Sequence, residues 1–113
     1  QRAQGQGCAP GILGVAIGGD RGSSYHASKE TLFRKLEDVN PDPALAALES
    51  RLSHEANQLG IGPMGFGGET TVLGVKMKGM HRLPASFFVT VSYMCWADRR
   101  RRMVVRGGDA VIE

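Results

Sequence analysis

Ser86–Asp98, SFFVTVSYMCWAD, is the stretch that most constrains how this chain can fold. In an extended strand, Phe87, Val89, Val91, Tyr93 and Cys95 fall on one side and Phe88, Thr90, Ser92, Met94 and Trp96 on the other. Apolar side chains on both sides predict a strand placed centrally in a sheet. It carries Cys95 to its far end. The only other cysteine, Cys8, stands at the opposite end of the sequence, beside a second apolar run, Gly11–Ile17 (GILGVAI). Two cysteines borne by two buried strands are the pattern to be explained.

The remaining elements follow in order. Cys8-Ala9-Pro10 turns the chain into Gly11–Ile17, a run of buried-strand length closed by Gly18-Gly19. Gly18–Gly22 reads as a turn. Ser23 or Ser24 can cap a helix from Tyr25 to Leu36, with Tyr25, Leu32, Phe33 and Leu36 on one face. Asn40-Pro41-Asp42-Pro43 is the clearest punctuation, because Asp42 suits the cap and Pro43 the first helical position, where its missing N–H costs nothing. The helix that follows carries Leu45, Leu48, Leu52, Ala56 and Leu59 as an apolar stripe, with Glu49, Arg51 and Glu55 off it. It stops at Gly60, with Ile61 placed to pack back. Thr70–Met80 alternates as a half-exposed strand, Thr71, Leu73, Val75 and Met77 on one side and Lys76 and Lys78 on the other. His81–Pro84 turns into the long strand. Met103–Arg106 and Ala110–Glu113 flank Gly107-Gly108-Asp109 as a hairpin. A buried strand, two helices and then several strands predict an α+β chain with a mainly antiparallel, multi-stranded sheet. Gln1 opens the sequence in a polar stretch, QRAQGQG, and Glu113 follows directly on a β-like Ala-Val-Ile, so both ends read as cut from something longer.

Bulk properties exclude several classes. At 113 residues the chain holds one domain at most, and 42% hydrophobic with 22% charged residues is a globular, not a disordered, composition. No apolar run approaches the roughly 18 residues of a membrane span, and no signal segment is visible. Two cysteines do not make a disulfide framework, so a cytoplasmic protein with free or ligating thiols is expected. The net charge of +3 comes largely from Arg99–Arg102. Nucleic-acid binding would therefore rest on that run alone.

Gly60–Gly68 (GIGPMGFGG) contains a literal G-x-G-x-x-G. A dinucleotide turn needs a strand before it and a helix after it, the reverse of the order here, and Glu69 stands where a P-loop lysine would have to be. A close-approach loop remains. Cys8 and Cys95 can be small buried hydrophobes, nucleophiles or metal ligands, although the paired spacing typical of zinc sites is missing. His26 and His54 sit on predicted helices, whereas His81 lies in a turn next to the cysteine strand and can line a site. The arginine run begins just after Cys95. It can guard a sheet edge or send one guanidinium toward the cysteine.

The order and spacing of several segments carry a resemblance. These are Cys8–Gly14 (CAPGILG), Ile17–Asp20, Asn40–Pro43, Leu59–Gly68, Leu83–Ser86 and Tyr93–Ala97 (YMCWA). Together they resemble the class I, iron–sulfur-dependent fumarate hydratases and the related L-tartrate dehydratases. More narrowly, they resemble the last part of the alpha subunit or of the N-terminal catalytic domain. The resemblance implies that residues 1–113 are a single partial domain of a larger enzyme. That enzyme would be a hydro-lyase acting on a small dicarboxylic acid, fumarate or L-tartrate, with a [4Fe–4S] cluster held by three cysteines. Cys8 and Cys95 match two of them, and the third is expected outside this segment. It further implies a beta subunit or C-terminal domain as partner, a homodimer, and no role for nucleic acid or membrane. The family's histidine twelve residues before the last cysteine falls on Leu83, so its role does not pass to His81.

Overall fold

β1 (Gly11–Gly19) is the middle strand of a three-stranded sheet. The computed structural model describes Arg2 and residues 6–113; Gln1 and residues 3–5 of the polar opening stretch lie outside the described residues. After β1 come α1 (Arg21–Thr31), α2 (Pro43–Asn57), β2 (Val72–Arg82), β3 (Val89–Cys95), β4 (Met103–Arg106) and β5 (Asp109–Ile112). The sheet order is β2-β1-β3, with β2 parallel and β3 antiparallel to β1. β4 and β5 form a separate antiparallel hairpin. Two of the three pairings are thus antiparallel and the chain is α+β, as its element order predicts.

The long apolar strand is not central. β3 is the outer strand of this sheet, and Val89 and Val91 are 54% and 59% exposed. Opposite residues of an antiparallel pair share a face, so Val89 and Val91 lie beside Ile17 and Val15. On that face α2 supplies Leu48 and Leu52 against Val15, Val75 and Met77. The cover does not extend over β3. Central position and two apolar faces therefore belong to β1 instead.

The sequence pattern places α1 too far along the chain, and of its expected inner face only Leu32 is buried. Asp20, not Ser23 or Ser24, is the cap: its carboxylate accepts from the Ser23 N–H at 2.7 Å, and Ser23 Oγ accepts from the Asp20 N–H in return. The buried side chains are Ser24, Ala27, Ser28 and Thr31, while Tyr25 and Phe33 are exposed. Close approach to the sheet is the reason. A β-carbon on Gly14 would stand 2.2 Å from the Ser28 carbonyl oxygen, so the helix itself presents small side chains to the strands and Leu32 packs just beyond its end. Their hydroxyls pair across the gap, Ser24 Oγ with Thr90 Oγ1 at 2.8 Å and Ser28 Oγ with Ser92 Oγ at 2.7 Å.

α2 begins as its residues dictate, with Asp42 Oδ1 accepting from the Ala44 and Leu45 N–H groups and Pro43 in the first turn. Glu49 departs from the expected outer face. It is buried, and its Oε1 accepts from the Met77 N–H at 2.6 Å, Arg34 Nη1 at 2.7 Å and Asn40 Nδ2 at 2.8 Å. Lys76, expected on an exposed face, is buried as well. Its three ammonium donors meet the Leu36 carbonyl, the Asp38 carbonyl and Asp38 Oδ1. A buried charge persists only when paired and hydrogen-bonded, and this network meets that condition while tying residues 34–40 to β2. The hairpin turns on Gly107 and Gly108, whose φ values of 58° and 94° suit a two-residue primed turn. Among the described residues no helix is long and apolar enough to cross a membrane.

Candidate cysteine centre

Antiparallel pairing sets Gly11, at the start of β1, opposite Cys95, at the end of β3. Cys8 lies three residues before Gly11, which brings its thiol beside that of Cys95, close enough for the two to act on each other electrostatically. The two cysteines, far apart in sequence, are neighbours. Cys8 is exposed and Cys95 half-buried. The Cys95 sulfur beside it pushes the Cys8 thiol up from its ordinary value, chiefly through charge, with slight desolvation adding to it. Two thiolates side by side repel, and a cation shared between them would remove that repulsion.

The turn bearing Cys8 is held from several sides. Cys8 has φ 52°, in the left-handed region, at a cost of about 1–3 kcal/mol for a residue other than glycine. Ala9, next in the chain, is buried, and its carbonyl accepts from the Met64 N–H at 2.8 Å. Met64 belongs to the glycine-rich loop, which thus lies against the cysteine turn. The loop folds tightly on itself, because a β-carbon on Gly62 (φ 66°) would stand 2.2 Å from the Gly67 backbone. Asn57, the last residue of α2, anchors it: Oδ1 accepts from the Thr71 and Val72 N–H groups, both at 2.8 Å. The Thr71 carbonyl in turn accepts from the Gly11 N–H at 3.2 Å. Helix end, loop, β2 and the start of β1 form one connected frame around Cys8.

On the β3 side, the Tyr93 ring lies over the backbone of Gly7 and Gly11. Partial burial, then the charges of Cys95 and Cys8, push its hydroxyl up from the ordinary tyrosine value. The Ala97 N–H donates to Cys95 Sγ at 3.4 Å. Asn57, Met64 and Tyr93 escape attention in the sequence. The signal that could have found Tyr93 is the pair of glycines four apart on either side of Cys8.

The other candidates lie elsewhere. Arg99 stays on the turn after Cys95, donating to the Trp96 and Asp98 carbonyls. Arg100 reaches back to the Leu32 and Arg34 carbonyls just beyond α1, where a cation suits the exposed carbonyl end of a helix. His81 is exposed and lines a separate cleft of about 730 Å³ with Glu30, Arg34, Asp42 and Lys78. His26 and His54 are exposed on the two helices. Among the described residues no three histidine, cysteine, aspartate or glutamate side chains converge as a metal site.

Comparison with known proteins bears on this geometry. The family model described as fumarate hydratase (Fumerase) matches residues 1–104. A Geobacillus stearothermophilus protein assigned as a class I fumarate hydratase is 61% identical over 99 residues, which are 88% of this chain and 19% of that protein. The L(+)-tartrate dehydratase alpha subunit of Escherichia coli K12 is 37% identical over 98 residues, 87% of this chain and 32% of the relative. A Methanocaldococcus jannaschii protein assigned as the same subunit is 40% identical over 100 residues, 87% of this chain and 34% of the relative. The chain therefore spans between a fifth and about a third of the length of these relatives. The match covers both cysteines, the glycine-rich loop and all the strands of the three-stranded sheet, and the chain belongs to the fumarate hydratase family.

Proposed function

We propose that residues 1–113 are a single partial domain, the cysteine-bearing end of the alpha subunit or N-terminal catalytic domain of an iron–sulfur hydro-lyase. Its reaction is the reversible hydration of fumarate to L-malate; dehydration of L-tartrate is the alternative within the same family. The observation that carries this is the meeting of Cys8 and Cys95 at the end of the sheet. It occurs in a chain that is 61% identical to a relative named fumarate hydratase and 37% identical to one named L(+)-tartrate dehydratase alpha subunit.

The donor set fits the group. Both donors are sulfur, soft ligands suited to iron–sulfur clusters, and the Ala97 N–H on Cys95 Sγ is a hydrogen bond of the type that tunes cluster potential. A [4Fe–4S] cluster held by Cys8, Cys95 and a third cysteine from outside this segment would supply a Lewis acid at its open iron. The chain's own residues do the positioning. β1 and β3 fix the two thiols, the Met64–Ala9 hydrogen bond steadies the Cys8 turn, and Gly7 and Gly11 leave their side-chain space to Tyr93. The substrate's acid, base and carboxylate partners come from the rest of the enzyme, a beta subunit or C-terminal domain, in a cytoplasmic dimer.

The test is anaerobic reconstitution of the full-length protein. Broad absorption near 400 nm (about, for thiolate–iron charge transfer) with bound iron and sulfide is expected, together with turnover of fumarate exceeding that of L-tartrate. Cys8→Ser and Cys95→Ser should each lose both cluster and turnover. A variant that loads and works like wild type would overturn the assignment.

A further inference from the structure

Tyr93 occupies space that two missing side chains leave open. A β-carbon on Gly11 would stand 2.1 Å from Tyr93 Cζ and 2.2 Å from its hydroxyl oxygen; one on Gly7 would stand 3.1 Å from Cε1. Gly7 immediately precedes Cys8, and Gly11 faces Cys95 across the ladder. A single ring therefore touches the neighbour of one thiol and the strand partner of the other. Tyr93 is also 38% exposed and lies outside the cluster of Val15, Val75 and Met77, so the core does not depend on it.

We propose that Tyr93 is a positioning residue of the cysteine centre: its ring, seated on Gly7 and Gly11, holds the Cys8 turn against the end of β3 and sets the separation of the two thiols. The ring and not the hydroxyl performs this role, since most of the close contacts are made by ring carbons. What the thiols hold rests on the function proposed above; their spacing by Tyr93 does not.

Capture of phenylarsine oxide, a trivalent arsenical that bridges two adjacent thiols, tests the spacing without any cluster. The full-length protein is used cluster-free and reduced, with Cys8→Ser and Cys95→Ser setting the background from other cysteines. Tyr93→Phe should bind the arsenical like wild type, whereas Tyr93→Ala and Gly11→Ala should bind roughly 10- to 100-fold more weakly, the usual penalty for losing a residue that orients a ligand, with unchanged far-UV circular dichroism. If Tyr93→Ala unfolds, Tyr93→Leu, which keeps bulk without the ring, is read against the same expectation. Wild-type affinity in the ringless variant overturns the proposal, as does failure of the wild type to capture the arsenical. Arsenical capture that depends on Tyr93 in a protein that takes up no cluster would overturn the iron–sulfur assignment and leave the positioning role standing.

Discussion

Arg34 and Glu49 meet at 2.7 Å beneath α2, with the glutamate side chain only 8% exposed. The same Glu49 oxygen accepts from Asn40 and from the Met77 N–H. Removing it strands a guanidinium, an amide and a backbone donor together. Glu49→Ala should therefore lower stability by about 3–5 kcal/mol, as breaking one side of a buried pair does. Glu49→Gln, which keeps an acceptor oxygen, should cost less. Urea unfolding of both variants measures the difference.

The Ser28–Ser92 hydroxyl pair is buried between α1 and β3. Ser92→Ala should cost about 0.5–1.5 kcal/mol, because the Ser28 hydroxyl, which still donates to the Tyr25 carbonyl, loses its cross-element bond. Removing both hydroxyls should cost less than the sum of the two single changes. A double-mutant cycle read by denaturant midpoints gives the coupling.

Gly60 and Gly62 separate two causes of glycine preference. Both have positive φ, yet a β-carbon at Gly60 meets nothing within 4 Å, while one at Gly62 runs into Gly67. Gly60→Ala should cost roughly 1–2 kcal/mol for the left-handed backbone alone. Gly62→Ala should cost more and should loosen the loop against Ala9. Hydrogen exchange of the Met64 amide distinguishes them.

Acid sensitivity follows from Asp38. Hydrogen bonding from Arg34, then from Lys76, holds its carboxyl below the usual carboxylate value despite some burial. A depressed folded-state value means that stability is fully present above the unfolded value, near 3.8, and is lost as pH falls through the folded one. Asp20, lowered by its bonds from Ser23, and Glu30, lowered by Lys78, act in the same direction. The thermal midpoint should be level above about pH 5 and fall below pH 4. Asp38→Asn should flatten part of that fall, and an unaltered slope would remove Asp38 from the account.

Local chemistry made parts of this fold legible. Asp42 and Pro43 mark the start of α2 because capping needs only adjacent residues, and Gly107-Gly108 marks the hairpin for the same reason. The meeting of Cys8 with Cys95 is not local. Periodicity makes each a candidate core thiol, and only the resemblance of the surrounding segments links them. Glu49 and α1 were hidden for a different reason. Counting apolar residues passes over Ser24, Ser28 and Thr31, which follow helical spacing as faithfully as any leucine stripe, and over Glu49, which follows Leu45 by four positions and precedes Leu52 by three. Tertiary partners, absent from any window of sequence, decide that these polar groups lie inside. For β3, two apolar sides announced burial, but how far α2 reaches across the sheet decides which side is covered.

The strand order has a consequence for biosynthesis. Within this segment, β1 and the Cys8 turn leave a ribosome before β3, which brings Cys95 to them. The partner of Cys8 comes from nearly the whole length of the segment away, and closing so long a loop is slow compared with local folding. A nascent chain therefore carries Cys8 without Cys95 beside it until β3 has been made and paired. The meeting of the two thiols thereby depends on a folded sheet.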